Sequence, residues 1–511
     1  MIPHPLLLIL LSPLVSALLV MLVPRRNLLA IRLISALGTS VSLLVSLWVA
    51  FAFDRASALN GQQDLQFVER LDWLPGVGIS FFLGVDGVNL SMVLLTAIVI
   101  FCGVFASWTV TYRTKEFYCL LLLLVTGVFG VFVSQDLFFF FLFYELAVLP
   151  MYLLIGIWGT GPKEYSAMKL TLYLLAGSAF MLVGIFGMYF SAHWPGATER
   201  TFSLPALTRA SYAPAFQSAC FLLLYIGFGI LAGIWPLHTW SPDGHSSAPT
   251  AVSMLHAGVL MKLGAYGVLR VGLACLPEGA RHWAWLVGTI GVINIIYGAY
   301  VAMGQRDLKY VIAYSSVSHM GVVMLGCAAL NQISLNGAVM QMFSHGIMTA
   351  LFFALVGLVY EKSHTRNIEE MGGLARRMPG IAAAFTIGGL ASFGVPGTSG
   401  FVAEIMVFLG AIRAHRLSLE GPGYYLLGIP LFLILAIGAV IAIVVTATYV
   451  LRVLQKVFHG PMDEQRFREV PDARTTEWVT LAFCGAVLIL VGLIPWPLTN
   501  LIGSSLGVYL R

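Results

Sequence analysis

The twenty-eight residues from Trp235 to Lys262, WPLHTWSPDGHSSAPTAVSMLHAGVLMK, place three His, three Pro and one Lys in otherwise apolar surroundings. A charge at the centre of a bilayer costs about 2.5–3.5 kcal/mol on insertion scales, so Lys262 needs a partner or a water-lined cavity there. Pro236, Pro242 and Pro249 free backbone carbonyls, which membrane helices tolerate only where protein or water satisfies them. A broken helix beside a buried cation reads as part of an ion path.

Other residues of the same kind are spread along the chain. Glu145, in FFFFLFYELAVLPMYLLI, sits nine residues inside the apolar run that starts at Asp136. At 1.5 Å per residue that is about 14 Å deep, near the bilayer centre. A desolvated carboxyl can hold a proton near neutral pH and release it when a cation approaches. Glu404 follows the interruption GVPGTSG at 394–400, where freed backbone and water are expected. Lys169 lies about five residues into its run and either joins a buried path or snorkels to the interface. His319 follows Ser315 by four residues, and Gln341, His345 and Thr349 line one face of the next run. Such a stripe suits a proton relay and suits helix–helix hydrogen bonding equally well; the sequence leaves both open. His256 precedes Lys262 by six residues and so points from a different face. His238 and His245 lie near the break, where satisfying freed backbone is the competing role. No His has the carboxylate or Cys neighbours of a metal site, and the six Cys show no CxxC pair, so no metal or iron–sulfur site is expected.

The elements that position these groups follow from composition. Of 511 residues 59% are hydrophobic and 10% charged, and the mean hydropathy is +0.90, which excludes a soluble globular domain. The net charge of +5 carries no nucleic-acid signal. Apolar runs of about twenty residues predict fourteen helices near 5–24, 28–53, 88–112, 117–134, 136–158, 164–191, 215–240, 247–275, 282–302, 307–328, 334–360, 381–412, 425–455 and 476–497. The first is too long for the core of a signal peptide and lacks a basic lead, so it is read as a retained span. With both termini outside, seventeen Lys and Arg fall on the cytoplasmic side and nine, Arg511 among them, on the other. That asymmetry fixes the orientation. The remaining two of the 28 cations, Lys169 and Lys262, fall within helices.

The fold class is therefore an all-α polytopic membrane protein. Its seventh helix breaks around Pro236 and its twelfth at 394–400, five helices later. Matched interruptions point to inverted repeats around a midplane ion site, although Pro and Gly are also simply common in membrane helices. The repeat reading divides the chain into helices one to three (1–112), a first five-helix repeat (113–275), a second (276–456) and a C-terminal loop and last helix (457–511). The loop at 54–87, with Asp54, Asp64, Glu69, Asp72 and Asp86, has no assignable role.

The segments FYELAVLPMYLLIGIWG, AMKLTLYLLAGS, WPLHTWSPDGHSSAPTAVSMLHAGVLMKLGAYGVLR, RDLKYVIAYSSVSHMG, SHGIMTALFFALVG and GVPGTSGFVAEIMVFLGA resemble the proton-pumping, antiporter-like membrane subunits of respiratory complex I (NADH-quinone oxidoreductase), nearest to their chain M branch. The resemblance covers about 85–510 and is densest over 136–410. It implies fourteen helices, two inverted five-helix repeats and a half-channel in each, joined by a central polar axis. Glu145 matches the family's fifth-helix Glu, Lys169 its sixth-helix Lys, Lys262 its eighth-helix Lys and Glu404 its twelfth-helix Glu. His319 and His345 match relay positions. By the same resemblance the chain sits in a bacterial inner membrane among other membrane subunits. It holds no cofactor itself; NADH, FMN, iron–sulfur clusters and quinone belong to the rest of the complex.

One departure stands out. The family's seventh helix usually bears a Lys paired with the fifth-helix Glu, and here Leu231 occupies that position, with Gly233 in place of a proline. Either Lys169 or Lys262 substitutes, or His256 or His238 does, or pumping has changed. Competing functions are a subunit of a multi-subunit cation/proton antiporter, a ferredoxin- or hydrogenase-linked relative, and a scaffold without transport. The insertion cost of Glu145, Lys262 and Glu404 argues against the scaffold.

Overall fold

The computed structural model describes residues 2–59, 65–194, 200–418, 425–426 and 429–510. Asp64 and Arg511 lie outside the described residues. Thirteen helices among the described residues are long and apolar enough to cross a bilayer. A broken pair of helices, Pro379–Ser392 and Ser399–Ser418, stands at the place of the expected twelfth span.

The spans that matter below are the third (Gly87–Ala106), fifth (Leu137–Trp158), sixth (Lys163–Ser191), seventh (Pro214–Ala232, resuming as Trp240–Ser247) and eighth (Thr250–Leu273). In the second half they are the ninth (Pro277–Gly304), tenth (Leu308–Ala328), eleventh (Gln332–Ser363), twelfth (the broken pair) and fourteenth (Thr475–Leu493). The third, eighth, tenth and eleventh are almost wholly enclosed, whereas the first, second, fifth, sixth, thirteenth and fourteenth leave over half of their residues incompletely buried. A polar axis built on the enclosed spans is shielded from lipid.

Polar residues cap helices at the membrane boundary, where unpaired backbone N–H groups are costly. The Asp86 carboxylate accepts from the N–H groups of Val88 and Asn89, both at 2.9 Å, and the Asn89 side chain accepts from the Asp86 N–H at 2.7 Å. Asp136 does the same for the fifth span, accepting from Phe138 and Phe139 and, across the chain, from the Ser80 N–H at 3.0 Å.

The seventh helix stops at Ala232 because Gly233 takes φ +74°, a conformation that favours glycine. Asn294 of the ninth span satisfies the backbone released there. Its amide accepts from the Trp235 N–H at 2.6 Å and donates to the Gly233 carbonyl at 3.2 Å. The twelfth helix breaks where Gly394 and Gly397 take φ +67° and +94°. Both interruptions lie where the sequence predicts them.

The loop at 54–87 departs from the all-α expectation. It carries an antiparallel hairpin, β1 (Gln66–Leu74) and β2 (Ile79–Val85), with Arg70 opposite Phe82 and Leu71 opposite Phe81. The β-branched and aromatic residues of QFVERLDWL and ISFFLGV favour strands, and Gly78 turns the chain at φ +69°. The hairpin lies across neighbouring helix ends. The Phe82 carbonyl accepts from the Gln135 N–H at 2.7 Å and the Gly78 carbonyl from the Phe202 N–H at 3.1 Å.

Candidate functional site

Lys262 is fully buried in the eighth span, between two π-helical turns, His256–Leu260 and Val268–Leu273. A π turn leaves carbonyls outside the usual ladder, and such turns cluster at functional sites. The Lys262 ammonium donates to one of these carbonyls, that of Ala257, and to Nδ1 of His345 at 2.7 Å. Backbone proximity makes the second contact possible. A Cβ on Gly346 would lie 2.6 Å from the Gly258 carbonyl oxygen, so glycine at both positions lets the eighth and eleventh spans touch beside Lys262.

Beyond His345, whose Nε2 has no hydrogen-bond partner among the described residues, further polar groups follow. Its ring lies 5.1 Å from that of His319, centroid to centroid. His319 Nδ1 accepts from the Gln341 amide at 3.1 Å and lies 3.6 Å from Glu404 Oε1, while its Nε2 is 3.3 Å from the Ser392 hydroxyl. Glu404 is 6% exposed and His319 4% exposed, so this end of the chain is as dry as its centre. An ammonium, two imidazoles and a carboxyl thus stand in sequence across the eighth, eleventh, tenth and twelfth spans. Groups of these types, in contact or one water apart, can pass a proton along. Of the predicted polar stripe, Gln341 and His345 join this axis. Thr349 instead donates to the His345 carbonyl of its own helix at 2.7 Å.

On the other side of Lys262, the rings of His245 and His256 stack at 3.9 Å, and His256 also stacks on Trp240 at 5.1 Å. None of their ring nitrogens has a hydrogen-bond partner among the described residues. His238 is buried but separate, against Tyr297 at 5.1 Å and Tyr314 at 6.4 Å.

Lys169 does not snorkel to the interface. Its ammonium is 2.7 Å from Asp243 in the resumed part of the seventh helix, and Tyr310 donates to the other oxygen of Asp243 at 3.0 Å. Asp243, absent from the sequence-derived candidates, is the carboxylate that holds the sixth-span Lys. Its only signal in the sequence was its place inside the broken segment. Lys309 was missed as well. Its ammonium is buried and donates to the Ala248 carbonyl at 2.6 Å.

Glu145 stands apart from all of these. It is half-buried on the fifth span, Oε1 has no hydrogen-bond partner among the described residues, and its polar neighbour is the Ser178 hydroxyl. Lys169 is engaged with Asp243, Lys262 with Ala257 and His345, and His256 with His245. Leu231, where the seventh-helix Lys was expected, is buried and apolar. The structure therefore joins Lys262, His345, His319 and Glu404, joins Lys169 to a new partner, and leaves Glu145 without a cation in contact among the described residues.

The chain matches the family model described as NADH:quinone oxidoreductase/Mrp antiporter, transmembrane, over residues 134–420. It is 38% identical over 495 residues to the NAD(P)H-quinone oxidoreductase chain 4 of Gloeobacter violaceus, covering 96% of this chain and 90% of the relative. Among solved structures it resembles a chain of respiratory complex I from Thermus thermophilus with bound NADH, with TM-score 0.85 and 27% identity over 99% of this chain and all of that one. It has the same fold as a chain of the Mrp complex from a Dietzia species, with TM-score 0.81 and 20% identity over 100% of this chain and 98% of that one.

Proposed function

Because this chain belongs to the NADH:quinone oxidoreductase/Mrp antiporter family of multi-pass membrane proteins, we propose that it is the proton-translocating membrane subunit of a complex I-like quinone oxidoreductase. The observation that carries this reading is the buried sequence Lys262–His345–His319–Glu404, which crosses four packed spans. The relatives named as quinone oxidoreductase chains, at 38–40% identity, favour a redox-driven complex over a cation/proton antiporter. Redox chemistry, with its nicotinamide, flavin, iron–sulfur and quinone groups, belongs to other subunits; this chain's residues hold and move protons.

In this reading Lys262 is the central store. Deprotonation of its ammonium passes a proton to His345, and His319 relays it to Glu404 beside the twelfth-helix break. Residues 113–275 and 276–456 act as two antiporter-like repeats, each with one interrupted helix. Lys169 and Asp243 form the ion pair of the first repeat, in place of the missing pair between Glu145 and a seventh-helix Lys.

The test is redox-driven proton uptake by inside-out vesicles carrying the assembled complex, comparing Lys262→Ala and Glu145→Gln with wild type. Lys262→Ala is expected to lower uptake by at least about tenfold, the scale of a lost proton-transfer group. Glu145→Gln is expected to retain a larger share, since no cation among the described residues contacts Glu145. The reverse order would mean that Glu145 acquires its cation during turnover. Normal uptake in both variants would reject the translocating role.

A further inference from the structure

A cavity of about 580 Å³ opens at the ends of the first (Pro5–Leu22), fourth (Thr114–Val133) and fifth spans. These ends lie on the face that the Lys and Arg count assigns to the cytoplasm. The apolar part of the lining comes from Met21, Leu120, Leu153 and Ile157, of which Met21 and Leu153 are exposed. Leu120 is six residues inside the fourth span and Leu153 five residues before the end of the fifth. At 1.5 Å per residue both lie about 8–9 Å below the helix ends, at the depth of acyl chains.

The rim is cationic. Arg25 and Arg113 stand just outside the first and fourth spans, and Lys115 is the second residue of the fourth. Glu116 Oε1 lies 2.9 Å from Arg25 and 3.9 Å from Arg113, and so holds both guanidinium groups at the opening. Lys115 donates to the Val23 carbonyl at 2.9 Å, tying the fourth span to the end of the first. The Arg113 guanidinium sits 5.9 Å from the centre of the Trp158 ring, whose N–H donates to the Tyr112 carbonyl at 2.7 Å. Three cations against one carboxylate leave a positive surplus, and the Arg25 side chain stays 79% exposed.

An apolar floor at acyl depth beneath cations at headgroup depth matches a ligand with two parts, a hydrocarbon tail and an anionic head. Basic pockets between membrane helices on the cytoplasmic side suit anionic headgroups, and Trp158 is a side chain typical of this level. An apolar helix of another subunit fits less well, because it would cover three cations that have one counter-charge between them. Free phosphate would answer the rim and leave the apolar floor without a partner.

We propose that this groove binds one phospholipid with an anionic headgroup, its phosphate against Arg25, Arg113 and Lys115 and an acyl chain against Leu120, Leu153 and Ile157. The lipid then bridges the first, fourth and fifth spans. The site is independent of the proton path and stands or falls apart from it.

The test exposes the assembled complex, in detergent, to phosphatidylglycerol carrying a photoreactive diazirine in one acyl chain, or to phosphatidylcholine with the same chain. Adducts are mapped by mass spectrometry of the peptides. One cation near a membrane surface is worth about fivefold in attraction of anionic lipid. Phosphatidylglycerol should therefore label the fourth and fifth spans beside the groove at least about fivefold more than phosphatidylcholine does. Arg25→Gln combined with Arg113→Gln should remove that preference, and Leu153→Trp, which fills the groove and keeps its charges, should lower the labelling. Arg468→Gln, at an exposed loop cation away from the groove, should change neither. Equal labelling by the two lipids would overturn the proposal, since the groove would then be ordinary lipid contact. Absence of label from these peptides would overturn it too and would mean that another subunit covers the groove. Displacement of the label by excess inorganic phosphate would reduce the site to an anion site without a tail, again against the proposal. Should the double Arg variant fail to assemble, the headgroup comparison on wild type and Leu153→Trp decide.

Discussion

At the scale of single residues, the contact between the sixth and seventh spans turns on Asp243. Its carboxylate receives the Lys169 ammonium at 2.7 Å and the Tyr310 hydroxyl at 3.0 Å, with both charged side chains about a fifth to a quarter exposed. If the pair acts as a unit, Lys169→Met and Asp243→Asn will each lower proton uptake, and the double variant will do little further harm. A double-mutant cycle on stability in detergent should give a coupling energy on the order of 1 kcal/mol, since partial exposure screens the pair. Additive effects on uptake would show the two residues working separately. The sequence identified Lys169 but not its partner. Five residues of depth left snorkelling open, and Asp243 sits in a Pro-interrupted segment whose fold brings it 74 positions back along the chain to the sixth span. Residue type was legible; pairing across helices was not, because it depends on how the break turns. Lys262, His319, His345 and Glu404 were legible for the opposite reason. Each lies deep in an apolar run, where a polar side chain has few physical justifications.

At the scale of elements, the close approach of the eighth and eleventh spans holds the axis together. A Cβ on Gly346 would lie 2.5 Å from Leu95 Cδ1 and 2.6 Å from the Gly258 carbonyl oxygen, so Gly346→Ala forces two spans apart next to the Lys262–His345 contact. Overpacking of this kind costs about 1–3 kcal/mol. Thermal unfolding in detergent should register that loss, and proton uptake should fall with it. Gly304→Ala, with nothing within 4 Å of the added carbon, should stay within about 0.5 kcal/mol of wild type. Equal stability of the two variants would show that the spans move apart freely. Both helix breaks were readable from Pro and Gly in apolar runs. The π turns around Lys262 and the hairpin at 66–85 were not. A π turn leaves no residue-type signature, and the acidic residues of the hairpin strands mask their alternation in a chain dominated by helix signals.

At the scale of the whole molecule, the number of spans was legible because bilayer thickness sets helix length. What ties the spans together at the ends beside the hairpin was not, because the tie joins four distant stretches. Arg270, at the end of the eighth span, is buried and ion-paired with Asp86 before the third, and its guanidinium also donates to the Tyr509 hydroxyl at 2.7 Å and to the Gln135 side chain at 2.6 Å. Asp86 has a second task, capping the third span through the N–H groups of Val88 and Asn89. The two tasks can be separated. Asp86→Asn keeps an oxygen for the cap and removes the charge that neutralises Arg270, and leaving one member of a buried pair uncompensated costs about 3–5 kcal/mol. Asp86→Ala loses the cap too and should cost about 1 kcal/mol more. Replacing both partners, as Asp86→Asn with Arg270→Met, removes the stranded charge and should recover part of the loss relative to Asp86→Asn alone. Thermal unfolding in detergent reads all three. If Asp86→Asn is as stable as wild type, the guanidinium is held by Tyr509 and Gln135 without its counter-ion. If the double variant is worse than Asp86→Asn, the Arg270 side chain supports the helix ends through its hydrogen bonds and packing rather than its charge.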